Sequence, residues 1–280
     1  MTERVLLTGA NGFIGRQVLK NLIESGCRVT VVIRTGSQLE PKYTTQVESV
    51  IFTDDLFKES YMWWAETMKH SDIVIHTAWF TDPGVYLQSP KNFECLEGTL
   101  LMAKAAVDVN VQRFIGIGTC FEYDLSYDLL TINTPLKPLT PYAQAKALAF
   151  TKITKLFLET DLTFAWCRLF YLYGEGERSE RLVPYIRRML ENDTEVELTS
   201  GDQIRDYLDV QEAGRTIVSV ALSECQGPIN ICSEIPVTVR ELAENIARGY
   251  GKLHLLRFGA RATDSLDPVR VVGVRNWGTK

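Results

Sequence analysis

The apolar run Arg4-Val5-Leu6-Leu7-Thr8 leads straight into Gly9-Ala10-Asn11-Gly12-Phe13-Ile14-Gly15, and this joint constrains the fold more than any other stretch. Glycines three apart between a strand and a helix let backbone amides close on an anion. Unpaired N–H groups and the helix dipole favour negative charge there. By itself the spacing also suits a tight turn with no ligand. Its place at the first strand-to-helix turn decides for a dinucleotide pyrophosphate, with Gly9, Asn11, Gly12, Phe13, Ile14 and Gly15 as contacts.

The rest of the first two thirds keeps the same rhythm. RVLLT, RVTVVI, SVIF, DIVIH, RFIGIG and TFAWCRLF read as strands, with helical patterns around 13–25, 90–109 and 141–160. Runs apolar on both faces suit a parallel sheet covered on both sides, so the expected class is α/β, a Rossmann-type doubly wound parallel sheet. After Tyr173 the pattern turns irregular: helices near 180–191, 210–223 and 238–249, with short strands at VELT and RDYLDV. These elements do not continue the sheet cleanly. The expected division is a nucleotide-binding domain over 1–170 and a smaller α/β substrate lobe over 171–280, partly interleaved with the first.

Composition narrows the partners. A net charge of -5 on 280 residues, with no basic face and no block of like charge, gives no footprint for nucleic acid. No signal peptide and no apolar run of membrane-spanning length is visible, so a cytoplasmic location without a membrane partner is expected. Six scattered cysteines and three histidines form no ligand spacing, so no metal is expected.

The second strand ends in VVIRTGS. Sites for NAD usually present an acid there to the ribose 2′-hydroxyl, whereas this chain has Arg34, and a guanidinium suits a 2′-phosphate. NADP is therefore the expected cofactor, and a solvated loop arginine is the plainer alternative. Asp55 and Leu56, after the third strand, bracket the adenine in this reading. Ala78 follows the fourth strand beside the cofactor, and Trp79 and Thr81 wall the pocket just beyond.

TPYAQAK places Tyr142 and Lys146 four residues apart at the start of a helix, on one face. A nearby ammonium lowers the pKa of a phenol, which makes Tyr142 a usable acid/base. With Thr119 at the end of a strand 23 positions upstream, the set becomes specific. The chain resembles the extended short-chain dehydrogenase/reductase family of nucleotide-sugar epimerases, dehydratases and reductases. TGANGFIG, VIHTA, the Gly-Thr of GTCFEYD, YAQAK, RLFYLYG, GDQIRDYLDV and NICSEIPVTVRELAENI carry the resemblance.

That resemblance implies Tyr142 as general acid/base, Lys146 as its tuner and ribose contact, and Thr119 as hydrogen-bond partner of the reacting oxygen. It makes Arg205 the diphosphate clamp, with an ion pair to Asp206 or Asp202 as the alternative, and brings Tyr123 and Thr81 to the sugar. Departures matter equally. Tyr171 stands where many relatives carry asparagine, so the substrate contact at that point differs, and Cys95 stands where another asparagine is usual. Cys120 and Phe121 hold the places of the Asp-Glu pair of the dehydratases, which disfavours dehydration because a phenyl ring cannot move a proton. Cys120 and Glu122 read as spectators, His76 as a satisfied strand-end histidine, and Trp63 and Trp64 as helix packing.

The implied function is NADPH-dependent reduction of a dTDP- or CDP-linked 4-keto-6-deoxy sugar in deoxysugar biosynthesis. An NAD-dependent nucleotide-sugar 4-epimerase, a reductase of small carbonyl compounds and an NADP-sensing non-catalytic relative are the alternatives. The resemblance also implies a homodimer through helices like 94–109 and 142–158.

Overall fold

The computed structural model describes residues 2–262 and 267–278. In chain order the first part holds Arg4–Thr8 (β1), Gly15–Glu24 (α1), Arg28–Arg34 (β2), Pro41–Thr44 (α2), Ser49–Thr53 (β3), Tyr61–Met68 (α3), Ile73–His76 (β4), Lys91–Asp108 (α4), Arg113–Thr119 (β5), Pro141–Phe157 (α5) and Thr163–Leu169 (β6). There follow Tyr171–Tyr173 (β7), Leu182–Glu191 (α6), Val196–Glu197 (β8), Ile204–Asp209 (β9), Val210–Ala221 (α7), Gly227–Ile231 (β10), Pro236–Thr238 (β11), Val239–Tyr250 (α8), Leu256–Arg257 (β12) and Arg270–Val271 (β13).

Seven strands form one parallel sheet in the order β10-β6-β5-β4-β1-β2-β3. Successive side chains alternate across it. Val5 and Leu7 join Val29, Val31 and the α1 and α7 side chains Val18, Leu22 and Ile217 on one face. Leu6 and Val32 meet Trp64 and Met68 of α3, Met102 of α4 and Ile153 of α5 on the other. Every residue of β4 and β5 is buried, as a strand covered by helices on both sides requires.

The order of strands bears on the expected division, in which the second lobe is partly interleaved with the first. Beyond residue 170 the chain returns to the main sheet: β10 pairs with β6 in parallel, and α7 packs on α1. A border at 170 therefore does not divide the sheet. The strand was hidden because Gly227 and Pro228 open it, and a proline is tolerated there because β10 is an edge strand. Of the other late strands, β7, β11 and β13 pair with β9 in a separate four-stranded sheet, and β8 pairs with β12. Helices α6 and α8 pack together through Ile186, Leu190, Ala243 and Ala247. Among the described residues no helix is long and apolar enough to cross a membrane.

Candidate functional site

The strand order reverses between β1 and β4, and a doubly wound sheet opens a crevice at the carboxyl ends of the strands at such a point. A cavity of about 830 Å³ lies there. It is lined by all the candidate site residues named from the sequence except Tyr123.

The glycine loop forms its floor. Gly9 has φ +75°, and a Cβ on it would meet Thr77 Oγ1 at 2.7 Å and the Ala78 amide nitrogen at 2.8 Å, so the loop after β4 rests directly on this backbone. A Cβ on Gly15 would run into Gly9 O, so α1 also begins against it. No side chain caps the N-terminus of α1, and while the Arg16, Gln17 and Val18 amides bond back to Gly12 and Ile14, the amides of Phe13, Ile14 and Gly15 stay available for an anion in the cleft. This cradle fits a dinucleotide pyrophosphate. At the end of β2, Arg34 is exposed, reaches the same cavity and makes no ion pair among the described residues, while Asn11 Nδ2 donates to Ser37 Oγ beside it at 3.3 Å. Asp55 spends its carboxylate on the Phe57 amide at 3.1 Å, capping a turn that presents Leu56 to the cavity.

Thr119 ends β5, and Tyr142 and Lys146 lie in the first turns of α5, which Thr140 caps by accepting from the Ala143 amide at 3.2 Å. Lys146 Nζ donates to Ile117 O at 2.6 Å and sits 3.7 Å above the Trp79 ring. Trp79 is held by its indole N–H, which donates to Asn92 Oδ1 at 2.8 Å. Burial pulls the Lys146 ammonium down to about 7, against the opposing pull of the Glu122 charge. Tyr142 packs edge-on to Tyr86 with ring centres 5.0 Å apart. Burial pushes its phenol well above the ordinary value, Tyr86, Glu122 and Cys120 act in the same direction, and the Thr119 hydrogen bond pulls it down. The expected depression of the phenol by Lys146 is thus not the arrangement found: the ammonium is engaged at Ile117 O and Trp79. A phenol kept protonated is a proton donor rather than a base.

Two readings of the GTCFEYD segment change. Tyr123 does not reach the cleft. It is fully buried, its hydroxyl donates to Asn230 Oδ1 at 2.7 Å and accepts from Arg168 Nη1 at 3.0 Å, because the 3-10 turn over Cys120–Glu122 rotates it inward. Glu122 is not a spectator. Its buried carboxylate accepts from the Thr119 amide at 2.8 Å and from Arg168 Nε at 2.7 Å. Its role is legible only once Arg168 is beside it, 46 residues away in sequence. Cys120 is inert, its thiol pushed up to about 12 by burial.

On the far wall Phe121, Tyr171 and Tyr207 form an aromatic row, with centroids 6.0 and 5.7 Å apart. Arg205 lies with its guanidinium 5.2 Å from the Tyr171 ring centre. Its ionic partner is Asp267 at 2.6 Å, neither Asp206 nor Asp202. Asp206 is already committed to the backbone amides of Ser233, Glu234 and Gly273. Thr81 lines the cavity near Tyr86, and among the described residues no group of side chains could hold a metal.

His76 keeps a structural role. Thr99 Oγ1 donates to Cys95 O at 2.7 Å, so it accepts from His76 Nε2 at 3.0 Å, and Nδ1 in turn accepts from Thr8 Oγ1 at 2.8 Å. The neutral ring satisfies both neighbours, and burial holds its pKa down to about 3. Between pH 6.5 and 3 the unfolded chain binds a proton on His76 that the folded chain refuses, so stability falls as pH drops through that window. The slope reaches about 1.4 kcal/mol per pH unit. Denaturant midpoints of His76→Gln measured against pH should show a shallower acid limb than those of the parent. An identical slope would contradict this.

Comparison with known proteins agrees with the geometry. The profile of the NAD dependent epimerase/dehydratase family matches residues 5–232. Over 99% of both chains, the sequence is 23% identical to a dTDP-6-deoxy-L-talose 4-dehydrogenase (NAD(+)) from Aggregatibacter actinomycetemcomitans. It is 22% identical to a CDP-abequose synthase from Salmonella muenchen, covering 94% of this chain and 86% of that one. Among solved structures, a UDP-glucose 4-epimerase with UDP-glucose from Thermotoga maritima superposes with a TM-score of 0.84 at 20% identity, covering 98% of this chain and 90% of that one, which shows the shared fold.

Proposed function

The chain belongs to the NAD dependent epimerase/dehydratase family, enzymes that act on nucleotide sugars with a nicotinamide cofactor, and on that premise we propose that it is an NADPH-dependent 4-ketoreductase of a dTDP- or CDP-linked 4-keto-6-deoxy sugar. The observation that carries this reading is the neighbourhood of Thr119. Tyr142, whose phenol burial pushes up and so favours in its protonated form, lines the same cavity, and the side chains next along the chain are the inert Cys120 and the apolar Phe121. Dehydration needs its own acid and base there. Reduction needs only a proton donor, and Tyr142 is one.

A nicotinamide cofactor held by this cradle would supply the hydride. The chain's own groups do the rest. Tyr142 gives its phenolic proton to the oxygen as negative charge grows on it, and the Thr119 hydroxyl holds that oxygen in line. Lys146 holds the ribose and Arg205 grips the diphosphate. The name of the 6-deoxytalose enzyme supports a 4-position oxidoreduction, and that of the abequose synthase supports a deoxy sugar.

Incubation with NADPH or NADH and a panel of dTDP-, CDP-, GDP- and UDP-linked 4-keto-6-deoxy sugars tests this through loss of the reduced-nicotinamide absorbance. No oxidation with any of them would sink the reading. The cofactor assignment rests on Arg34, whose guanidinium lines the cavity at the end of β2 without an ion pair among the described residues and suits a 2′-phosphate. Arg34→Glu should move the ratio of kcat/KM for NADPH over NADH by about 100-fold towards NADH. The rival reading, an NAD-dependent 4-epimerase, has the fold of the Thermotoga maritima enzyme on its side. It predicts that denaturing the purified protein releases tightly held NAD. The homodimer belongs to the same reading, since Phe93 of α4 and Leu148 of α5 are exposed.

A further inference from the structure

We propose that Glu122 is a positioning residue for Thr119, and that the buried Glu122–Arg168 pair sets both the place and the hydrogen-bond polarity of that hydroxyl. The inference rests on the proposed role of Thr119 in turnover.

Thr119 and Glu122 close a reciprocal box around one turn of 3-10 helix. Thr119 Oγ1 accepts from the Phe121 amide at 3.3 Å, and Glu122 Oε1 accepts from the Thr119 amide at 2.8 Å. A hydroxyl has one proton and two lone pairs, and the box occupies a lone pair. The proton is left to donate into the cleft, which is what an oxygen gaining negative charge requires. A three-residue turn has little stability of its own. The carboxylate must therefore be held from outside.

It is held on two sides. The Trp166 indole N–H donates to Glu122 Oε1 at 3.0 Å, and Arg168 Nε donates to Oε2 at 2.7 Å. Trp166 reaches this point because β5 carries Gly116 and Gly118, where any Cβ would run into the indole. The Arg168 guanidinium lies between the rings of Tyr123 and Phe150, 4.6 and 4.7 Å from their centres. Its Nη1 donates to Tyr123, whose hydroxyl donates to Asn230, and Asn230 Nδ2 donates to Leu130 O and Val274 O. The end of β5 is thus braced by β6, β10 and the C-terminal segment. Packing alone would not call for charge here, since apolar side chains of similar volume are often as stable as a buried ion pair.

The test compares Glu122→Leu/Arg168→Met, Glu122→Gln/Arg168→Met and Thr119→Val in the holoenzyme, using the keto sugar that oxidises the reduced nicotinamide. The first variant removes both charges together and leaves none unpaired. It should lower kcat by about 30-fold with the cofactor KM within about 2-fold, and speed hydrogen exchange at the Thr119 amide. The second keeps an acceptor for that amide and should recover kcat to within about 3-fold of the parent. Adding Thr119→Val to the first variant should cost little more, because both changes remove one interaction. A folded first variant with parental kcat, or an undiminished Thr119→Val loss in its background, overturns the inference. Thr119→Val alone with full turnover instead removes the catalytic reading of Thr119, and the inference falls with it. Should the first variant not fold, Trp166→Phe, which deletes only the indole N–H, must lower kcat a few-fold at unchanged KM or the inference fails.

Discussion

Tyr142→Phe should lower kcat by about 10³-fold while leaving the dissociation constant for NADPH within about 2-fold. The change deletes one oxygen and keeps the ring that packs edge-on to Tyr86 at 5.0 Å, so the cleft keeps its shape. What is lost is the phenolic hydroxyl proposed to hand over the proton, with Thr119 as its partner. Cys120, the nearest alternative by position, has its thiol pushed up to about 12 and sealed in the core. Stopped-flow reduction under a single turnover separates chemistry from product release, and the cofactor titration checks the ground state. A variant with more than about a tenth of parental kcat would mean that the proton comes from elsewhere.

The second large effect is on binding. Gly15→Ala places a Cβ against Gly9 O, where neither partner can yield: one is the first residue of α1, and the other carries φ +75° and is itself pressed against Thr77 and Ala78. Relief requires the helix to draw away from the loop, which opens the amide cradle proposed for the pyrophosphate. The expected result is a loss of NADPH affinity of about 100-fold, or roughly 2.7 kcal/mol, with a lower melting temperature because overpacking strains the β1–α1 joint. Gly249→Ala serves as the control, since like Gly15 it lies outside the left-handed region, but a Cβ there meets nothing within 4 Å. Calorimetric titration that found parental affinity in Gly15→Ala would remove the glycine loop as the phosphate site.

The parts of this molecule that were legible from sequence are those in which neighbours along the chain are also neighbours in space. The glycine loop, the apolar runs of β1 and β2, and the pair Tyr142 and Lys146 are all local patterns, and local patterns survive translation into one dimension. Tyr123 and Glu122 show where this stops. They are adjacent, both polar, and their fates are settled by Arg168 and Asn230, which arrive from β6 and β10. The same holds for Arg205, whose partner Asp267 is 62 residues away. The direction of the Tyr142 pKa was missed for a related reason. The i, i+4 rule puts an ammonium near the phenol, but burial outweighs it and Ile117 O claims the ammonium.

The late return of β10 bears on how the chain acquires its structure. The sheet that frames the cleft stays unfinished until Gly227–Ile231 pairs with Thr163–Leu169, and everything between, including β9 with Arg205, has been synthesised before that edge can close. Pairings so distant in sequence close slowly, since loop entropy is lost before any contact repays it. A nascent chain ending near residue 170 would expose β6 as an open edge and invite association with another chain. Cofactor half and substrate half cannot then be released one after the other as independent folding units. They should melt in a single transition, with the edge strand as the bolt that shuts both.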